Sequence, residues 1–136
     1  METSAALARW LNEPRSSEVK SHLESADALV TSQLTTLEAE RALVRRRAER
    51  RITDAQATSI HALLARESSA WTVVPIGDDI LVAARGPFPR EPVRSLDAIH
   101  LGTLLTLRTA VPDLGVLSLD DRVRENARLL GFTVVP

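Results

Sequence analysis

Cysteine is absent from these 136 residues, so neither a disulfide nor a thiolate metal site is available. A reducing, cytoplasmic setting agrees with that. Tyr is also absent, and Phe and Trp number only two each, so the aromatic platforms on which single-stranded nucleic acids stack are not expected. There is one lysine, Lys20, and the formal net charge is −1, so any contact with a polyanion must come from a local patch of arginines. No apolar run approaches the roughly 18 residues of a membrane span. The opening Met1-Glu2-Thr3-Ser4 has no basic stretch of the kind that begins a signal peptide. No glycine-rich phosphate loop occurs, which excludes a P-loop nucleotide hydrolase.

What is present is an ordinary globular balance of 44% hydrophobic and 26% charged residues, in a length that suits one domain. Periodicity predicts helices over residues 4–11 and 14–25, then a strand at 28–32. A long helix is expected over 37–51, opened by a capping box of Thr35 and Glu38. Another follows to about residue 67, opened by Thr53 and Gln56. A strand is expected at 71–76, limited by Pro75, then a short helix at 78–84 and a proline-rich loop over 85–92. Residues 96–110 form an apolar helix expected to be largely buried. A strand at 115–119, a helix at 121–130 stopped by Gly131 and a strand at 132–135 complete the chain. Alternating strands and helices imply an α/β fold with a central parallel sheet flanked by helices.

Open parallel sheets carry their sites beyond the carboxyl ends of the strands. Glu2, Glu38, Asp97 and Asp120 all fall just after a strand or in a first helical turn. Asp78 and Asp79 also follow a strand. By themselves these acids read equally as helix caps or as partners of the helix macrodipole.

Four blocks add a resemblance. Glu2-Thr3-Ser4-Ala5-Ala6-Leu7 is similar to the opening motif of PIN-domain nucleases, and Leu37-Glu38-Ala39-Glu40-Arg41-Ala42-Leu43 to their second block. Arg94-Ser95-Leu96-Asp97-Ala98-Ile99-His100-Leu101 is the sharpest match. Leu119-Asp120-Asp121-Arg122, with Ala127-Arg128-Leu129-Leu130-Gly131, resembles the closing blocks. The blocks occur in family order along nearly the whole chain, and the pattern most resembles VapC-type toxins.

The resemblance implies a PIN-like three-layer sandwich and an endoribonuclease that uses Mg²⁺ or Mn²⁺ and is inhibited by a cognate antitoxin. It implies Glu2, Glu38, Asp97 and Asp120 as catalytic residues and metal ligands, with Ser4 and Asp121 as accessory residues. It also implies a homodimer. Oxygen-only ligands suit these ions over Zn²⁺. Two departures carry expectations. A short apolar strand normally precedes the first acid; here it is expected to be missing or upstream of Met1. The first acid is Glu where Asp is commoner, so its longer arm is expected to shift the ion or admit a water. The rival reading is a PIN fold with impaired catalysis that acts only through protein or RNA contacts. A phosphate-acceptor domain is disfavoured, because no lysine accompanies the acids.

Arg41, Arg45, Arg46 and Arg122 are the candidates for RNA or partner binding, with a solvated helix face as the equal alternative. His100, alone on an apolar helix, reads as a hydrogen-bonded core residue. His22 and His61 have no companion at ligand spacing. Trp10 and Trp71 read as packing anchors.

Overall fold

The computed structural model describes residues 1–135. The elements in chain order are α1 (Thr3–Trp10), α2 (Ser16–Ser25), β1 (Val30–Ser32), α3 (Gln33–Ala48), α4 (Asp54–Ser68), β2 (Thr72–Val74), α5 (Asp78–Ala84), α6 (Ser95–Leu107), β3 (Gly115–Leu117), α7 (Asp121–Leu129) and β4 (Thr133–Val135). Every expected element is present; α5 has the expected ends and the others differ at one end or both.

The strands form two parallel pairs, β1 with β2 and β3 with β4. They are joined by the first two residues. The Met1 nitrogen donates to the Val30 carbonyl at 2.7 Å, and the Glu2 N–H donates to the Leu117 carbonyl at 2.9 Å. Thr31 Oγ1 donates to the Met1 carbonyl at 2.7 Å. The backbone just before α1 therefore lies between the two pairs, beside the strand that leads to Asp120. A groove of about 470 Å³ opens next to Met1, with Ala28, Leu29, Leu114 and Gly115 in its walls.

The strand ends are set by side chains. Pro75 follows β2 and has no N–H for the ladder. The strand expected at 115–119 stops at Leu117, because the N–H groups of Leu119 and Asp120 turn to Ser4 Oγ, at 2.8 and 3.1 Å. The expected capping box of Thr35 and Glu38 does not form. Helix α3 begins four residues earlier than expected, directly from β1, with Ser32 as its cap through a 3.2 Å bond from the Leu34 N–H. Thr35 is then fully buried inside the helix, and Glu38 is freed for other partners. The second box does form. Thr53 Oγ1 accepts from the Gln56 N–H at 3.2 Å, and Gln56 Oε1 accepts from the Thr53 N–H at 2.8 Å.

Small residues let the helices approach closely. Ala5, Ala6 and Ala8 of α1 are all buried, against Val19 and Leu117 on one side and Ala39 and Leu64 on the other. Trp10 stacks on Trp71 with ring centroids 5.6 Å apart, and its indole N–H donates to Glu67. Leu101 of α6 packs with Phe88, Val116, Val123 and Ala127 in the core beneath β3.

Gly102 marks the tightest approach, where a Cβ would lie 2.8 Å from the Ile80 carbonyl oxygen and 3.1 Å from the Ala84 nitrogen. Both atoms are backbone and cannot rotate aside. Gly102→Ala should therefore destabilise the fold by about 1–3 kcal/mol, despite the better helix propensity of Ala. Urea unfolding measures this, and an unchanged or higher midpoint would contradict the close approach of α5 and α6.

Candidate metal centre

Glu2 caps α1. Its Oε1 accepts from the Ser4 N–H at 3.0 Å, and its Oε2 accepts from the hydroxyls of Ser4 and Ser118, the latter at 2.7 Å. Ser4 in turn receives the N–H groups of Leu119 and Asp120. Asp120 caps α7, with Oδ1 accepting from the N–H groups of Arg122 at 2.9 Å and Val123 at 3.3 Å. The turn from β3 into α7 is thus tied to the start of α1 by two serines. Arg124 adds a brace, donating to the carbonyls of Ser118 and Val135 at 2.6 and 3.0 Å.

Asp97 lies in the first turn of α6. Its Oδ2 is buried without a hydrogen-bond partner among the described residues. Burial pushes its pKa above the ordinary carboxylate value, and the negative charges of Asp120 and Glu2 push in the same direction. Arg122 and Arg94 oppose the shift without cancelling it. The loop leading to α6 is held by buried Asn126, whose amide accepts from the Arg90 N–H at 2.9 Å and donates to the Arg90 carbonyl at 3.0 Å.

Glu38 is on α3. Its Oε2 lies 2.8 Å from His100 Nε2 and accepts from the Thr3 hydroxyl. Burial raises the Glu38 pKa, but the hydrogen bonds from His100 and Thr3 outweigh it and leave the carboxyl below its usual value. His100 Nε2 also lies 3.9 Å from Glu2 Oε1. Glu2 therefore links two groups: Asp97 and Asp120 through charge, and Glu38 through His100.

Asp121 is exposed, and its charge acts on Arg15 and Arg124. Among the arginines, Arg46 is engaged within the fold, 2.5 Å from Glu13, and Arg47 pairs with Asp54. Arg41 and Arg45 are exposed and form no ion pair among the described residues, and exposed Leu37 and Val44 lie on the same helix.

Three residues of this centre escaped the sequence reading. His100 reads in the sequence as a hydrogen-bonded core residue, and what that reading leaves out is the identity of its partner. It is buried at 6% exposure and hydrogen-bonded, and its partner is the carboxylate of Glu38. The available signal was its position three residues after Asp97, which puts both on one helix face. Thr3 adjoins Glu2 in the chain. Ser118 stands two residues before Asp120 and is fully buried.

The donor set can be weighed against a divalent cation. Two carboxylates about 5 Å apart repel by roughly 3 kcal/mol at an effective dielectric near 20. A buried, unpartnered Asp97 oxygen in the field of two further carboxylates is an arrangement that a cation relieves, while the ligand atoms brought within 4.8 Å of one another are those of Glu2, Glu38 and His100. Carboxylate oxygens are the ligands preferred by Mg²⁺ and Mn²⁺, so the residues fit such an ion.

The fold and the acidic centre define the class, and sequence comparison agrees: the chain belongs to the PIN domain family, whose model matches residues 1–129. It is similar to two proteins of Mycobacterium tuberculosis. It is 32% identical to Ribonuclease VapC46 over 136 positions, covering 99% of this chain and 94% of that protein. It is 28% identical to Ribonuclease VapC35 over 137 positions, covering 99% and 93%. No helix among the described residues is long and apolar enough to cross a membrane.

Proposed function

We propose that this chain is a Mg²⁺- or Mn²⁺-dependent endoribonuclease of the toxin type, held inactive by a cognate antitoxin. The observation that carries this reading is Asp97, a half-buried carboxylate with one buried, unpartnered oxygen in the field of the like charges of Asp120 and Glu2. The names of the two relatives support RNA as the substrate.

Asp97, Asp120, Glu38 and Glu2 would hold the ion. When bound, the ion supplies Lewis-acid stabilisation of the phosphodiester and lowers the pKa of water it holds. Ser4 fixes the relative positions of two ligands, because its hydroxyl donates to Glu2 and receives the Asp120 N–H. Arg122 lowers the negative field at Asp97 and offers a cation for an approaching phosphate. Asp121, being exposed, has at most an accessory part.

The antitoxin is assigned to the α3 face that exposes Leu37, Arg41, Val44 and Arg45, where apolar contact and positive charge combine. Arg46 is spent on Glu13 and is a weaker candidate. The homodimer and the cytoplasmic location rest on the family resemblance.

Purified protein incubated with structured RNA tests the reading. Cleavage is expected with Mg²⁺ or Mn²⁺, its loss with excess chelator, and its return when Mn²⁺ is added back. Cleavage that persists in chelator would reject metal dependence. Partner binding without any cation uptake would favour a non-catalytic module.

A further inference from the structure

We propose that His100 is the positioning residue of Glu38, and that it acts as a hydrogen-bond donor rather than as a ligand of the ion. This rests on the metal-dependent reading above.

By composition, the opposite assignment is tempting. Glu2, Glu38 and His100 each offer one ligand-type atom, and the three atoms lie within 4.8 Å of one another. Two carboxylates and an imidazole would suit a transition metal. The position of the hydrogen decides against it. His100 Nε2 is 2.8 Å from Glu38 Oε2, and an ionised carboxylate oxygen only accepts. Two lone pairs facing each other at that distance would repel, so the hydrogen is on Nε2. A ring nitrogen that carries its hydrogen has no lone pair left for a cation.

Thr3 completes the device. Its hydroxyl donates to the same Oε2, and its oxygen stands 3.3 Å from His100 Nε2, where it meets the N–H as an acceptor. Two donors from two different helices therefore grip one oxygen of Glu38. No hydrogen bond reaches Oε1 among the described residues. The grip thus orients the carboxylate while leaving its other oxygen available. Thr3 and His100 are both buried, at 5% and 6% exposure, so water does not compete for these bonds.

A glutamate has three side-chain torsions, and ordering them is unfavourable when an ion must do it alone. Prior fixing by His100 and Thr3 moves that cost from ion binding to folding. Helix α6 then serves the centre twice. It supplies the Asp97 carboxylate, and one turn later the donor that holds the carboxylate of α3.

The full chain and its His100→Ala, His100→Gln and Thr3→Val variants test this by Mn²⁺ titration, pulsed EPR of bound Mn²⁺ and RNA cleavage. Gln carries an amide N–H at nearly the reach of Nε2. The Ala variant is expected to lose about 10–100-fold in Mn²⁺ affinity or turnover, the size of effect seen when a ligand's hydrogen-bond partner is removed. Gln should recover most of that loss, and Thr3→Val should show a smaller loss. Bound Mn²⁺ in the unmodified protein should show no directly coordinated imidazole nitrogen. A nitrogen coupling that vanishes in both His100 variants, or Gln behaving no better than Ala, would overturn the assignment while leaving the metal-dependent reading intact. If the unmodified protein takes up no Mn²⁺, that underlying reading fails first. Should the Ala variant not fold, the EPR spectrum of the unmodified protein and the Gln variant still decide.

Discussion

Asp97→Asn and Asp120→Asn should each reduce metal-supported RNA cleavage by well over the roughly 10–100-fold that loss of an outer-shell partner brings. The argument is electrostatic. Asp97 is kept partly out of water, beside Asp120 and Glu2, with a buried oxygen that has no donor. Such a carboxylate has little structural use. Asn keeps the shape and removes the charge that an ion would neutralise.

The same substitution has an opposite effect on the metal-free protein, and the sign can be worked out. The folded-state pKa of Asp97 is raised above its ordinary 3.8 by burial and by neighbouring negative charge. Between those values the native state binds a proton that the unfolded chain has released. Stability from this group therefore falls as pH rises through that window, and above it the ionised Asp97 opposes folding. Asp97→Asn removes the opposition. At neutral pH, its metal-free Tm should lie above that of the unmodified protein, and its Tm gain on adding Mn²⁺ should shrink or disappear. Thermal scans with and without Mn²⁺ read both effects. A variant that keeps full activity and the full Mn²⁺-induced gain in Tm would remove Asp97 from the centre.

Glu2 should separate structure from chemistry. Its carboxylate caps α1 and accepts the hydroxyl of Ser118, which is fully buried. Glu2→Ala loses a helix cap, about 1 kcal/mol, and leaves a buried hydroxyl without its acceptor, about 1–3 kcal/mol more. A destabilisation of about 2–4 kcal/mol is expected by denaturant unfolding, together with loss of cleavage. Glu2→Gln retains one carbonyl oxygen, but its amide NH2 stands where the second carboxylate oxygen accepts, so only part of the cap survives. It should lose less stability than Glu2→Ala while activity still falls, because the charge is gone. Equal loss of stability in both variants would mean that the ionised carboxylate itself is structural. Unchanged activity in Gln would mean that Glu2 does not assist the ion.

The longer arm of Glu2, on which the expectation of a shifted ion or an intervening water rests, is fixed by the bonds around it. Glu2 is gripped by Ser4, two residues on, and by Ser118, just after β3. The arm is long enough to reach both. Ser4 is named by the opening motif as an accessory residue, whereas Ser118 lies in no motif that marks it, so that half of the grip was not legible beforehand.

Much of the architecture was legible because local physics sets it. Thr53 and Gln56 announce a helix start wherever they occur three residues apart before a helical pattern. Pro75 ends a ladder because it has no N–H, and Gly131, at φ +87°, ends α7 where other residues would be strained. Thr35 and Glu38 satisfy the same local rule as Thr53 and Gln56, yet the rule failed for them. Ser32 stood at the end of β1 with nothing between strand and helix, and it took the cap first. Glu38 then turned toward α1 and α6, a direction set by residues 35 and 62 positions away in the chain.

The order of strands and helices and the Thr53 cap of α4 were written in the chain itself, since each depends on neighbours a few residues apart. The gathering of Glu2, Asp97 and Asp120 around shared charge was decided only by tertiary packing, as was the pairing of His100 with Glu38. Charge repulsion and hydrogen-bond donation act over a few ångströms of space and are indifferent to distance along the chain. No window of sequence contains them until the helices have packed.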